Sequence, residues 1–178
     1  MEFIRCDGLY FQKTKDMYHS VVIDLKSTVN YPKWGVHHPS EEDLQSAFDK
    51  GELYICVEDG EVAGAVVLNE DPEGFYEAGD WSQDLERGEY LVIHLLTSST
   101  EFRKRGVAAY LVDKCLEQAQ QQGYKAVRLD AVPTNEPAIN LYLSKGFTYA
   151  GTKDLLRDIK AIPLFDLYER DLAAIADE

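Results

Sequence analysis

Apolar and polar positions mark most elements of this chain. Tyr90 to Thr97, YLVIHLLT, is an apolar run broken by a single histidine and reads as a strand. Polar Ser98, Ser99 and Thr100 follow, then the basic residues Arg103, Lys104 and Arg105. Apolar residues return at helical spacing at Val107, Leu111, Val112, Cys115, Leu116 and Ala119. Gly123 stands where a helix C-terminus favours a residue tolerant of positive φ. From Ala126 to Val132 the period drops to two, with Val127, Leu129 and Ala131 alternating against Arg128 and Asp130, which predicts a second strand. The unit is β-loop-α-β, and its crossover is long enough for the two strands to pair in parallel.

The same patterns organise the remaining chain around this unit. A first strand falls within Phe3 to Phe11, interrupted at Asp7-Gly8. Met17, Val21, Val22, Leu25 and Val29 predict a helix over Lys15 to Val29. An aromatic, proline-bounded loop follows, Tyr31 to Pro39. Ser40 with Glu41, Glu42 and Asp43 then marks a helix N-terminus, and Leu44, Ala47 and Phe48 supply its buried face. Leu53–Glu58 and Glu61–Asn69 are strands joined at Asp59-Gly60, a strong hairpin signal. Residues 70–88 form an acidic insertion that its aromatics Phe75, Tyr76 and Trp81 pack down. After Phe147, strands are expected at Thr148 to Thr152 and Leu164 to Leu172, with a charged connector between them. The fold class is mixed α/β, with one domain over residues 1–172 and a frayed tail at 173–178.

Composition narrows the function classes. The 178 residues carry a formal net charge of -14, which argues against a nucleic-acid surface, because such a surface needs clustered cations over a broad face. Cys6, Cys56 and Cys115 are odd in number, far apart and without a Cys-x-x-Cys pair, so reduced, buried thiols are expected. The N-terminus has no signal-peptide pattern and no apolar run approaches the length needed to span a bilayer, which predicts a cytoplasmic protein without membrane association. A homodimer is an admissible assembly.

In such a chain the basic run acquires meaning. A glycine turn between a strand end and a helix N-terminus presents backbone N–H groups beside the positive end of the helix dipole, a site suited to phosphate. Gly106 permits close approach, small Ala108 keeps side chains away, and Arg103, Lys104 and Arg105 give a local positive spot. Neither Gly-x-Gly-x-x-Gly nor Gly-Lys-Ser/Thr is present, so a dinucleotide or nucleoside-triphosphate fold is disfavoured.

Arg103-Lys104-Arg105-Gly106-Val107-Ala108 resembles the Arg/Gln-x-x-Gly-x-Gly/Ala signature of the GCN5-related N-acetyltransferase (GNAT) family. Asn135 to Phe147 resembles the family's Asn-x-x-Ala-x-x-x-Tyr-x-x-x-Gly-Phe motif at the expected distance downstream. The resemblance spans roughly Leu53 to Leu172. It implies acetyl-CoA as co-substrate, bound by Ser98, Arg103, Lys104, Arg105, Gly106, Val107, Ala108 and Asn135, with Asn135 also suited to cap its helix. The sequence departs from the family at the strand end, where Ser98 and Thr100 stand in place of the usual valine and proline.

Acyl transfer to an amine needs a neutral nucleophile, stabilisation of the thioester oxyanion and a proton for the leaving thiolate. By resemblance, Tyr142 is the general acid. His94, alone in an apolar strand that leads into the loop, is expected to be buried and to act as the base, with Glu89 and Asp130 as alternatives. Histidine is the side chain that ordinarily titrates near neutral pH. Tyr31, Trp34, His37 and His38 are candidates for the acceptor wall, where the aromatic rings would face a cationic amine. The adjacent His37 and His38 point apart and lack a further ligand at metal-site spacing, so no metal is expected. The acceptor is then a small-molecule or peptide amine, and transfer is direct, in a ternary complex. The alternative is a non-catalytic acyl-CoA-binding or sensing module, against which the retained Tyr142 argues.

Overall fold

The protein is described by a computed structural model over residues 1–35 and 37–173; the tail from residue 174 lies outside them. In chain order the elements are β1 (Glu2–Arg5), α1 (Phe11–Leu25), α2 (Glu41–Asp49), β2 (Leu53–Glu58), β3 (Glu61–Asn69), β4 (Tyr90–Ser98), α3 (Val107–Gln121), β5 (Ala126–Ala131), α4 (Glu136–Ser144), β6 (Thr148–Lys153) and β7 (Phe165–Asp171). The strands form one seven-stranded mixed sheet in the order β1-β2-β3-β4-β5-β7-β6. β4 and β5 pair in parallel, as the crossover implied, and β7 lies antiparallel between β5 and β6. The mixed α/β class and the antiparallel N-terminal hairpin are as expected.

Local chemistry explains the boundaries. The turn between β2 and β3 has Asp59 at φ 52° and Gly60 at φ 79°, the pair of left-handed residues a tight hairpin requires. Ser40 accepts the Asp43 N–H while the Asp43 carboxylate accepts the Ser40 N–H, a complete capping box at the start of α2. Gly123, at φ 82°, follows the end of α3. α1 begins at Phe11 rather than Lys15, and β1 ends at Arg5 well short of Phe11. The cause is Asp7, whose carboxylate accepts the N–H groups of Leu9 and Tyr10 and whose carbonyl accepts that of Phe11. The Asp7-Gly8 interruption is therefore the entry turn of the helix. At the other end α1 stops at Leu25, and Val29 is left exposed.

The described residues fall into two compact units, Met1–Leu68 with His94–Lys114, and Asn69–Ile93 with Cys115 onward. In the first, Met17, Tyr18 and Val21 of α1 and Leu44 of α2 pack with Leu53 and Ile55 of β2. The second gathers Tyr76, Tyr90, Val92, Leu155 and Leu167. Cys6, Cys56 and Cys115 are all free and buried, as expected.

Within the second unit Arg128 departs from what alternation along β5 implies. Its side chain is 2% exposed and pairs at 2.8 Å with Glu169, itself 1% exposed. The guanidinium lies 4.3 Å from the ring centroids of both Trp81 and Tyr90 and donates to the Gln83 carbonyl. Ser82 donates its N–H and hydroxyl to Glu169. A buried ion pair persists only when such further hydrogen bonds satisfy it. Here those bonds also pin the 70–88 insertion, in which Trp81 donates to the Tyr76 carbonyl.

Candidate active site

The first unit carries the strand exit and the loop. The parallel ladder runs from Tyr90↔Ala126 to Ile93↔Leu129, and two residues later Leu95 takes φ 52°. An L-residue other than glycine resists that left-handed conformation by roughly 1 kcal/mol or more. The Tyr18 hydroxyl, reaching from α1, donates to the Leu95 carbonyl at 2.7 Å. His94, immediately before this bend, is half-buried rather than buried as expected, while Leu95 after it packs against the core of the first unit. Ser98 closes β4 and is also half-buried. Ser99 anchors the next turn: its N–H donates to the Ala63 carbonyl and its hydroxyl accepts from Glu101.

Between this turn and α3, Lys104 takes φ 61° and Gly106 φ 77°. Left-handed residues interspersed with ordinary ones turn successive N–H groups toward a common concavity that suits anions. The first N–H groups of α3 have no partner within the helix and add to it. The Tyr110 N–H closes onto the Gly106 carbonyl at 2.9 Å, so the helix begins directly from the loop. A Cβ built on Gly106 meets nothing within 4 Å, which leaves the glycine open to close approach.

The three cations are not equivalent. Arg103 is tied to Asp24 of α1 at 2.5 Å, and Arg105 lies 5.1 Å from the Phe102 ring centroid and 4.0 Å from Glu58. These contacts hold the loop against its own unit. Lys104 is exposed, and among the described residues no carboxylate engages it. Arg105 too stays open to solvent, its side chain 59% exposed. Val107 is buried and Ala108 half-buried, so they anchor the helix start rather than crowd the loop.

Gly64 sets how closely that helix start sits on the sheet. A Cβ there would stand 2.6 Å from Val107 Cγ1, 2.8 Å from the Thr97 carbonyl and 3.1 Å from Leu111 Cδ1. The carbonyl cannot move without shifting β4. Gly64→Ala is therefore expected to cost about 1–3 kcal/mol by overpacking, read as a lowered midpoint in denaturant with an unchanged slope.

The second unit holds α4. Asn135 occupies its N-cap position but makes no side-chain capping bond, so of the two roles expected for it the cap is not formed. Pro137 in the first turn and Gly146, at φ 80° just beyond the helix, bound α4 in the usual way. Tyr142 is 7% exposed and its ring centroid lies 5.8 Å from that of Phe147. Burial, and after it the charge of Asp130, pushes its phenol far above the ordinary range. Among the described residues its hydroxyl makes no hydrogen bond.

The two alternative bases are occupied. Asp130 accepts two bonds from Arg157, at 2.7 and 2.8 Å, and a third from the Tyr76 hydroxyl at 2.6 Å. Arg157 in turn donates to the carbonyls of Glu73 and Pro72, joining the insertion to the β6–β7 connector. Glu89 is bonded to Lys125, which holds its carboxyl below the usual range with help from the Glu86 N–H. A carboxylate so stabilised is a poor proton acceptor.

The loop that carries the expected acceptor-wall residues is tied down around Trp34. The Asn30 side chain accepts the Trp34 N–H and donates to its carbonyl, and Trp34 packs against Tyr18 and the core of the first unit. His38 meets the Trp34 ring edge-on at 6.2 Å, and His37 and Tyr31 are exposed. A cavity of about 270 Å³ beside this loop is lined by Gly35 and Pro39, with Tyr18, His19 and Val22 of α1 and Leu44 of α2. The side chains of Tyr31, Trp34, His37 and His38 are not among its walls.

With the fold and these groups in place, comparison with known proteins is specific. The acetyltransferase (GNAT) family model matches residues 20–147, and the chain belongs to that family. A relative from Methanocaldococcus jannaschii, an uncharacterized N-acetyltransferase, is 32% identical over 115 residues, covering 64% of this chain and 47% of its own length. N-acetyltransferase 8B of Rattus norvegicus is 30% identical over 120 residues, covering 64% of this chain and 48% of its own. The chain thus spans about half the length of the curated relatives it matches. A GNAT-family acetyltransferase of Streptococcus agalactiae has the same fold, with a TM-score of 0.76 at 18% identity over 96% of this chain and 94% of that one. Another from Listeria monocytogenes gives 0.75 at 17% identity over the same shares. No helix among the described residues is long and apolar enough to cross a membrane.

Sequence reasoning missed Tyr18, Asp24 and Gly64. Tyr18 falls within the helical repeat but not on the apolar positions used to find α1. Asp24 is one acidic residue among many, and a lone glycine in a strand signals close approach without saying to what.

Proposed function

We propose that this chain, as one domain over residues 1–172, transfers the acetyl group of acetyl-CoA to a primary amine of a small molecule or an amino terminus. Transfer is direct, in a ternary complex. The observation that carries the reading is the loop with left-handed Lys104 and Gly106 at the start of α3, open at Gly106 where a Cβ would fill the cradle. Its N–H groups from Gly106 to Ala108 and the exposed cations Arg103, Lys104 and Arg105 suit a pyrophosphate, Arg103 being also tied to Asp24. Ser98 at the strand end and Asn135, whose amide is not spent on capping, are assigned to the same co-substrate.

Acetyl-CoA, when bound, supplies the activated acyl group. The amine lone pair forms the new C–N bond as the C–S bond breaks. Tyr142, held protonated by burial, gives its proton to the departing sulfur. His94, half-buried just before the bend in β4, takes the proton that the amine sheds. Tyr31, Trp34, His37 and His38 are assigned to the acceptor side, with the exposed Tyr31 ring the better placed to meet a cation. Three buried free thiols are in keeping with a cytoplasmic setting.

The test is release of free CoA from acetyl-CoA across a panel of amines, alongside melting with and without acetyl-CoA. Stabilisation and release with at least one amine are expected; stabilisation without release from any of them favours a non-catalytic sensor, and neither sinks the proposal. For a responsive amine, His94→Gln should lower kcat/KM and remove the acidic limb of its pH profile, where an essential base becomes protonated. The comparison is repeated with a less basic amine, so that titration of the acceptor itself is separated out. A limb that persists unshifted with both amines assigns the proton to another route.

A further inference from the structure

We infer that Tyr18 is a positioning residue for acyl transfer: its hydroxyl, donated from α1 to the Leu95 carbonyl, fixes the left-handed bend that aims His94 and the strand exit at Ser98. The inference rests on the acetyl-transfer reading and adds to it a residue outside both sequence motifs.

Three observations meet at this bond. Leu95 has φ 52°, a conformation that leucine does not choose in a strand. Something must stabilise it, and the bond of 2.7 Å from Tyr18 falls on that residue's own carbonyl. The donor is itself closely packed: Tyr18 is 2% exposed, set among Met17, Val21 and Leu53 and tilted against the Trp34 ring at 6.1 Å. A buried tyrosine whose hydroxyl is used on a strained strand residue does more than fill space.

The bend has consequences on both sides. Side chains along a strand alternate between faces, and one left-handed residue resets that alternation for all that follow. His94 precedes the bend; Leu96, Thr97 and Ser98 follow it and lead to Ser99, whose N–H is fixed on Ala63. With both ends of the segment held and β3 alongside, loss of the Tyr18 bond loosens its middle. The backbone groups of residues 94–98 would then sample ordinary strand conformations.

The test compares Tyr18→Phe, which keeps the ring and deletes the hydroxyl, with Leu95→Gly and the double variant. Acetyl-CoA affinity is read by thermal shift, kcat and KM by CoA release, and amide hydrogen exchange over residues 94–98. Tyr18→Phe is expected to quicken exchange in that segment and weaken acetyl-CoA binding on the order of fivefold, as for one lost hydrogen bond. Leu95→Gly removes the penalty for the left-handed state. Added to Tyr18→Phe it should therefore restore part of the lost affinity, although in the parent it brings none. A residue serving stability alone gives the opposite sign, because two destabilising changes add.

If acetyl-CoA stabilises the parent and Tyr18→Phe equally, with exchange over 94–98 unchanged, Tyr18 has no positioning role. A further loss of affinity in the double variant overturns it too. Should Tyr18→Phe alone not fold, its effect is read in the Leu95→Gly background: the double variant binding acetyl-CoA as tightly as Leu95→Gly alone supports the role, and binding about fivefold weaker overturns it. A parent that acetyl-CoA does not stabilise overturns the acetyl-transfer reading itself, and this one with it.

Discussion

Gly106→Val leaves a folded chain whose melting temperature no longer rises with acetyl-CoA. For the parent, a ligand at about 100 times its Kd that binds only the native state contributes roughly 2.7 kcal/mol of stability, and the variant loses all of it. Two effects act at this position. The φ of 77° strains any L-residue, a β-branched one most, and the baseline stability falls by roughly 1–2 kcal/mol whatever the ligand does. Separately, the side chain enters space that is open in the parent, where a Cβ meets nothing within 4 Å, and keeps a pyrophosphate from the N–H groups of the loop. Gly123→Val separates the two, because Gly123 has φ 82° and equally open surroundings but lies outside the loop. It should melt lower than the parent and still respond fully to acetyl-CoA. A Gly106→Val chain that responds as the parent does would place the anion elsewhere.

The parts of the fold legible in the sequence are those whose signals are local. The hairpin at Asp59-Gly60, the capping box from Ser40 to Asp43 and the end of α3 before Gly123 each depend on a few neighbouring residues, and each lies where its residues imply. The start of α1 was misplaced because it is fixed by one carboxylate, Asp7, reaching two and three residues ahead, while the apolar repeat begins to register only further along. Arg128 was unreadable for a different reason. Its burial depends on Glu169, 41 residues away, and on the two rings that enclose it, and alternation along β5 says nothing of what covers each face.

The candidate site divides the same way. Its loop was legible because glycine, cations and a helix start are contiguous, but that Asp24, remote in sequence, engages Arg103 was not. The sequence leaves Asp130 open as an alternative base. Only the Arg157 and Tyr76 contacts, from two different connectors, reveal that its carboxylate is already saturated.

Tyr142→Phe should lower kcat by about 10²-fold to 10⁴-fold, the range for a lost general acid, while acetyl-CoA binding survives. The prediction separates chemistry from packing because of what the hydroxyl does in the resting protein. A hydrogen-bonded buried hydroxyl costs about 1 kcal/mol to delete, but this one makes no bond among the described residues, and the Phe147 contact is made by the ring. Stability should therefore change by less than about 0.5 kcal/mol, which thermal unfolding checks. The pH dependence gives a further test of sign. Burial and the neighbouring Asp130 charge raise the phenol's pKa, so the proton-bearing form persists to higher pH than in free tyrosine. The parent should then show no basic limb in kcat from this group below about pH 10, the ordinary tyrosine range, and the loss in Tyr142→Phe should be the same fraction at every pH below it. If kcat is unchanged with an acceptor for which chemistry limits turnover, Tyr142 belongs to the core and the leaving thiolate takes its proton from elsewhere.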